Sequence, residues 1–67
     1  MLKDKDKAII LALADNGMQV KPTARSIDMH WNSVYYCIDR IYNQTGLDPR
    51  NFYDLHKLVE MAQEEGD

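Results

Sequence analysis

The residues of this chain best suited to chemistry lie between Lys21 and Arg40. Lys21 and Arg25 bring positive charge, Thr23 and Ser33 bring hydroxyls, and Asn32 brings an amide that donates and accepts. Trp31, Tyr35 and Tyr36 add rings, and Arg40 adds a third cation. An amide of this kind can pair bidentately with the edge of an adenine, while cations and hydroxyls can hold phosphates. Other chemistries find less to work with. His30, Cys37 and His56 match no common zinc spacing, and Cys37 falls at a position expected to face a core, where a lone cysteine acts as a small apolar residue. No Ser/His/Asp order, glycine-rich phosphate loop or carboxylate pair in an apolar setting can be picked out. The residues therefore point to a binding protein and not an enzyme, with no metal, cofactor or small-molecule substrate.

Such side chains must be set on one surface by something apolar beneath them. Ile27 and Met29 bracket a turn centred on Asp28, and Val34, Ile38 and Ile41 then follow the four-then-three spacing of one helical face. This pattern predicts a short helix, a tight turn and a longer helix ending at Gly46, the layout of a helix-turn-helix. Asn32 and Tyr35 fall opposite the Val34/Ile38/Ile41 stripe and are expected on the outside. Trp31 and Tyr36 fit either that outer face or packing against a neighbouring helix or partner chain.

Taken in order, the chain predicts an all-α fold: one small four-helix domain over residues 1–67, with helices at about 4–16, 21–28, 31–45 and 51–64. Asp4 or Asp6 is expected to cap the first helix, and Gly17 to end it in a left-handed conformation. Ile9, Ile10, Leu13 and Ala14 make a stripe wide enough to need cover on more than one side. Lys21 is expected at the cap of the second helix, with Pro22 in its first turn. Ala24 suits a close approach of two helices, Asp28 tolerates a positive φ at the turn, and His30 caps the third helix. Gly46 terminates that helix, and Leu47 folds back onto its last turn. Asn51 with Asp54 forms an approximate capping box for the last helix, whose apolar stripe is Phe52, Leu55, Leu58, Val59 and Ala62. The acidic end from Gln63 to Asp67 carries no readable signal.

The segment from Val20 to Leu47 resembles the C-terminal helix-turn-helix of PucR-type bacterial regulators of purine catabolism and sugar-diacid use. The matching positions are Thr23-Ala24, Ile27, His30, Asn32, Ser33, Val34, Tyr36, Arg40-Ile41 and Thr45-Gly46-Leu47. The resemblance implies a sequence-specific binder of double-stranded DNA, with the helix starting near Trp31 in the major groove. It also implies a homodimer acting in transcription regulation. In that family the module follows a large sensory region, so a chain of 67 residues reads as a stand-alone regulator. Where the family usually carries arginines on the third helix, this chain has Trp31, Tyr35, Cys37 and Asp39.

Composition supports part of this and opens an alternative. A domain this small buries only about 60% of its unfolded surface. Its core supplies ~3–5 kcal/mol of net stability, so self-association is expected to help. One cysteine excludes a disulfide framework, no apolar run spans a bilayer, and a cytoplasmic location is expected. The net charge of −3 is unevenly spread. Lys3, Lys5, Lys7, Lys21 and Arg25 precede Ser26, whereas only Arg40, Arg50 and Lys57 follow it among eight acids. Phosphate binding would thus rest on Lys21, Arg25 and Arg40. The alternative is a protein-interaction module that keeps the fold but has lost DNA binding, its Trp and Tyr side chains serving a protein partner.

Overall fold

The first helix is built by the run Ala8-Ile-Ile-Leu-Ala-Leu, which leaves apolar groups on most of its circumference. The computed structural model describes residues 2–65 and places this run in α1 (Asp4–Asp15). Three further helices follow: α2 (Val20–Ser26), α3 (Trp31–Thr45) and α4 (Phe52–Glu65). Among the described residues there are no strands. The fold is therefore all-α, a four-helix domain around a helix-turn-helix. Gly66 and Asp67, the end of the acidic tail, lie outside the described residues.

α1 is the central element, packing against α2, α3 and α4. Ile9, Ile10 and Leu13 are fully buried and meet Val34, Ile38 and Ile41 of α3 with Leu55, Leu58 and Ala62 of α4 in one core. Each buried Val, Leu or Ile side chain among these contributes about 1.5–3 kcal/mol relative to exposure. The stripe keeps Ile9, Ile10 and Leu13 and differs from expectation in one member: Ala12 is buried and Ala14 faces solvent. Phe52 leaves the expected α4 stripe: it sits in the first turn and is 66% exposed.

Local chemistry fixes each end. Lys3, not Asp4 or Asp6, is the residue before α1. Asp6 lies one turn in, accepts a hydrogen bond from the Lys3 amide at 3.4 Å, and is wholly buried. α1 ends where Gly17 and Met18 both take positive φ (63° and 64°) and the Met18 amide reaches back to the Leu13 carbonyl at 2.7 Å. α2 starts one residue earlier than expected, with Gln19 at the cap, so Lys21 and Pro22 both fall inside its first turn. Pro22 costs nothing there, since first-turn amides have no helical acceptor. At α4, Asn51 Oδ1 accepts from the Asp54 amide at 3.1 Å. The Asp54 carboxylate accepts instead from the Asp48 amide at 3.0 Å, tying the α3–α4 link to α4 rather than completing the reciprocal box.

The turn between α2 and α3 is set by Asp28, whose φ is 55°. The Met29 amide donates to the Ala24 carbonyl at 2.8 Å, and the Asp28 amide to the Arg25 carbonyl at 3.3 Å. This is the paired bonding that ends a helix at a left-handed residue, with aspartate where glycine is usual. Ala24 is 3% exposed at the α2–α3 approach, where a longer side chain would push the helices apart. Ile27 and Met29 pack on the core from either side of the turn.

Asp28→Gly is expected to raise stability by about 0.5–1 kcal/mol, since it removes the Cβ strain but adds unfolded-state freedom. Asp28→Val should lower stability by at least as much. Urea unfolding followed by circular dichroism checks both.

Candidate nucleic-acid interface

α3 opens at His30, whose Nδ1 accepts from the Asn32 amide at 3.1 Å. Its carbonyl accepts from Ser33 and Val34 at 3.0 and 3.3 Å. The cap fixes where the first turn begins, and the buried Val34, Cys37, Ile38 and Ile41 fix how the helix is rolled. What then faces outward follows from 3.6 residues per turn. Asn32 and Tyr36 lie opposite the core, with Trp31 and Tyr35 along one flank and Ser33 along the other. Asp39 and Asn43 continue the outward face toward the C-terminus.

These side chains are accessible. Trp31 is 42% exposed, Tyr35 41% and Tyr36 69%, and Asn32 and Ser33 are also exposed. Both Trp31 and Tyr36 therefore belong to the surface. The Asn32 amide group and the Ser33 hydroxyl have no hydrogen-bond partner among the described residues. Trp31 stacks on His30 at 5.3 Å between centroids and meets Tyr35 edge-on at 6.0 Å, so the three rings form a continuous wall. Lys21 from α2 lies over the Trp31 ring at 6.0 Å. Lys21, Arg25, His30 and Trp31 border a shallow groove floored by Ala24 and Met29. Arg25 is exposed and has no ion-pair partner among the described residues. The turn thus brings two cations of α2, neither in an ion pair among the described residues, beside the start of α3.

Two of the residues expected at this surface belong elsewhere. Thr23 is fully buried, and its hydroxyl donates to the Gln19 carbonyl at 2.7 Å, so it is not available to a ligand. A threonine one turn into a short helix satisfies itself this way when a neighbouring helix covers it. Arg40 does not offer a free charge. Its guanidinium pairs with the buried Asp6 carboxylate of α1, lies 3.7 Å from Cys37 Sγ, and has its centre 6.0 Å from the Tyr36 ring. Its side chain is 27% exposed, and its Nε is buried without a partner among the described residues.

The hydrogen bond to Asp6 raises the Arg40 pKa above its ordinary value, with the Asp6 charge adding to the effect and burial opposing it. A cation whose folded pKa is raised contributes its stability fully below its unfolded pKa and loses it only on rising through the folded one. That window lies above any pH at which the fold would be used, so Arg40 keeps its charge throughout. The sequence signal for this pair is Asp6 itself: it sits three and four residues before Ile9 and Ile10, on the face of α1 that goes into the core. A carboxylate there needs a cation, and only the fold reveals that the cation is 34 residues away.

Among the described residues no group of three His, Cys, Asp or Glu is placed to hold a metal, and Cys37 is a buried thiol. No helix among them is long and apolar enough to cross a membrane. His56 pairs with Glu60 at 3.0 Å on the surface of α4.

Comparison with known proteins yields one family. Residues 8–61 match the model of the PucR C-terminal helix-turn-helix domain. No curated protein and no solved structure matches.

Removing one member of the buried pair is expected to be asymmetric. Arg40→Met leaves a buried carboxylate without its cation, and should cost on the order of 3 kcal/mol. Asp6→Asn leaves Arg40 able to turn to solvent, and should cost clearly less. Thermal and urea unfolding of the two variants test the ordering; equal losses would contradict it.

Proposed function

The chain belongs to the family of PucR C-terminal helix-turn-helix domains, and we propose that it regulates transcription by inserting the start of α3 into the major groove of duplex DNA. The family's general role is DNA binding in regulators. The observation that carries the reading is the open first turns of α3, where Trp31, Asn32, Ser33, Tyr35 and Tyr36 are exposed beside Lys21 and Arg25, neither of which is in an ion pair among the described residues. In this reading Asn32 pairs with a base edge. Lys21 and Arg25 hold phosphates as α2 crosses the backbone. Ser33 and Tyr36 donate hydroxyls to the adjoining strand. Thr23 has no part in contact, and Arg40 orients α3 from beneath.

The protein acts as a homodimer in this proposal. A single reading helix with two free cations gives weak, short recognition, and two copies double both. Phe52 and Tyr53 at the start of α4 are 66% and 76% exposed and meet edge-on at 5.5 Å, beside a groove lined by Ala14, Met18, Leu55 and Val59. We place the second copy there. α4 packs on α1 while α2 packs on α3, so this contact leaves α3 open. In sedimentation velocity, Phe52→Ala/Tyr53→Ala should shift a concentration-dependent dimer to monomer without loss of helix content.

A second reading has one observation in its favour. With Arg40 engaged by Asp6, the outer face of α3 carries no free cation and holds Asp39, in a chain of net charge −3. That face would suit a protein partner, its aromatic wall acting as the anchor.

A fluorescence-anisotropy titration with a mixed-sequence duplex across salt concentrations separates the two. With two phosphates neutralised per protomer, the slope of log K against log salt should be about −2 per protomer. Lys21→Ala or Arg25→Ala should each reduce it by about 1. Asp39→Asn should tighten binding at low salt. Absence of any binding at low salt would favour the protein-interaction module.

A further inference from the structure

The composition of the exposed turn of α3 restricts which bases it can recognise. The commonest specific contact to DNA is an arginine or lysine forked onto guanine O6 and N7. α3 has no free cation for this: its one arginine, Arg40, is held by Asp6. Lys21 and Arg25 stand on α2, the helix that crosses the backbone in this motif. What the first turns of α3 do present is the free amide of Asn32, with an aromatic wall of Trp31 and Tyr35 continued by His30 at the cap.

An A·T pair offers both features that such a face can use. Adenine N6 and N7 suit the Asn32 amide, and the thymine C5-methyl lies on the same major-groove edge of the same pair. No unmodified G·C pair carries an apolar group there. The wall is also settled before any ligand arrives. Trp31 is stacked on His30 with 29° between rings and abutted edge-on by Tyr35 at 90°, while His30 is itself fixed by capping α3. Side chains already held in place lose little freedom on binding, so an apolar contact made by them is retained as affinity.

We infer that the site reads A·T pairs through thymine methyl groups, with Trp31 and Tyr35 making the methyl contact and Asn32 taking the adenine. This inference rests on the DNA-binding reading and adds to it the class of half-site and the two residues that set it. Lys21 and Arg25 set affinity on any sequence, whereas Trp31 and Tyr35 set preference.

The test begins with selection from a duplex library with a randomised core at low salt, followed by titration of the selected duplex made with thymine or with uracil. The expected half-site is A·T-rich. Each contacted thymine replaced by uracil should weaken binding roughly three- to fivefold, the factor for losing one buried methyl. Trp31→Ala/Tyr35→Ala, its helix content verified by circular dichroism, should bind the two duplexes equally. A G·C-rich selected half-site, or a uracil duplex bound as tightly as the thymine duplex by the unaltered protein, would overturn the inference while leaving DNA binding intact. A library from which no duplex is retained would overturn the DNA-binding reading and this inference with it.

Discussion

A carboxylate with no access to water governs this domain. Asp6 is placed on the core face of α1 by the same periodicity that places Ile9, Ile10 and Leu13. An ionised group there is tolerable only with a cation and hydrogen bonds. Arg40 supplies them from the middle of α3, and the Lys3 amide supplies another. The pair ties the start of α1 to the helix that carries the candidate site. Apolar contacts alone would hold α3 against α1 but would resist small rotations weakly. A directed pair between buried oxygen and guanidinium permits one roll of the helix. The same contact removes a positive charge from the outer surface, so the constraint that orients α3 also limits what α3 can bind.

The second device is the turn. Ala24 lets α2 approach α3, and Asp28 holds a left-handed conformation that sends the chain sharply from one helix to the next. His30 then caps α3 and becomes the first ring of its aromatic wall. Backbone chemistry and surface chemistry are thus joined at one residue. Lys21 and Arg25 reach the wall because the turn returns α3 alongside α2, not because the sequence places them near it.

Much of this was legible in the sequence, and the failures have physical reasons. The α3 face was readable because Val34, Ile38 and Ile41 repeat at helical spacing and Gly46, at φ 74°, closes the helix. The turn was readable because aspartate is one of few residues suited to positive φ. Thr23 was misassigned because a polar residue in an exposed-looking turn can still be buried when its hydroxyl bonds to its own helix, as it does to Gln19. Phe52 was misassigned because periodicity says which face a residue takes, not how far a neighbouring helix covers it. Arg40 was misread because its partner is distant in sequence; the clue lay in Asp6 and not in Arg40 itself. The positive φ of Met18 had no sequence signal beyond the adjacent glycine.

The central claim is that the outward side of early α3, flanked by Lys21 and Arg25, is the surface that meets a duplex. Its most direct test is an NMR titration of the isotopically labelled protein with a selected or mixed-sequence duplex at low salt. Shifts are expected to concentrate at Lys21, Arg25 and the amides from Trp31 to Tyr36, with the Trp31 indole among the most affected and the core amides of α1 unmoved. Shifts confined to α4, or a spectrum unchanged by excess duplex, would contradict the claim.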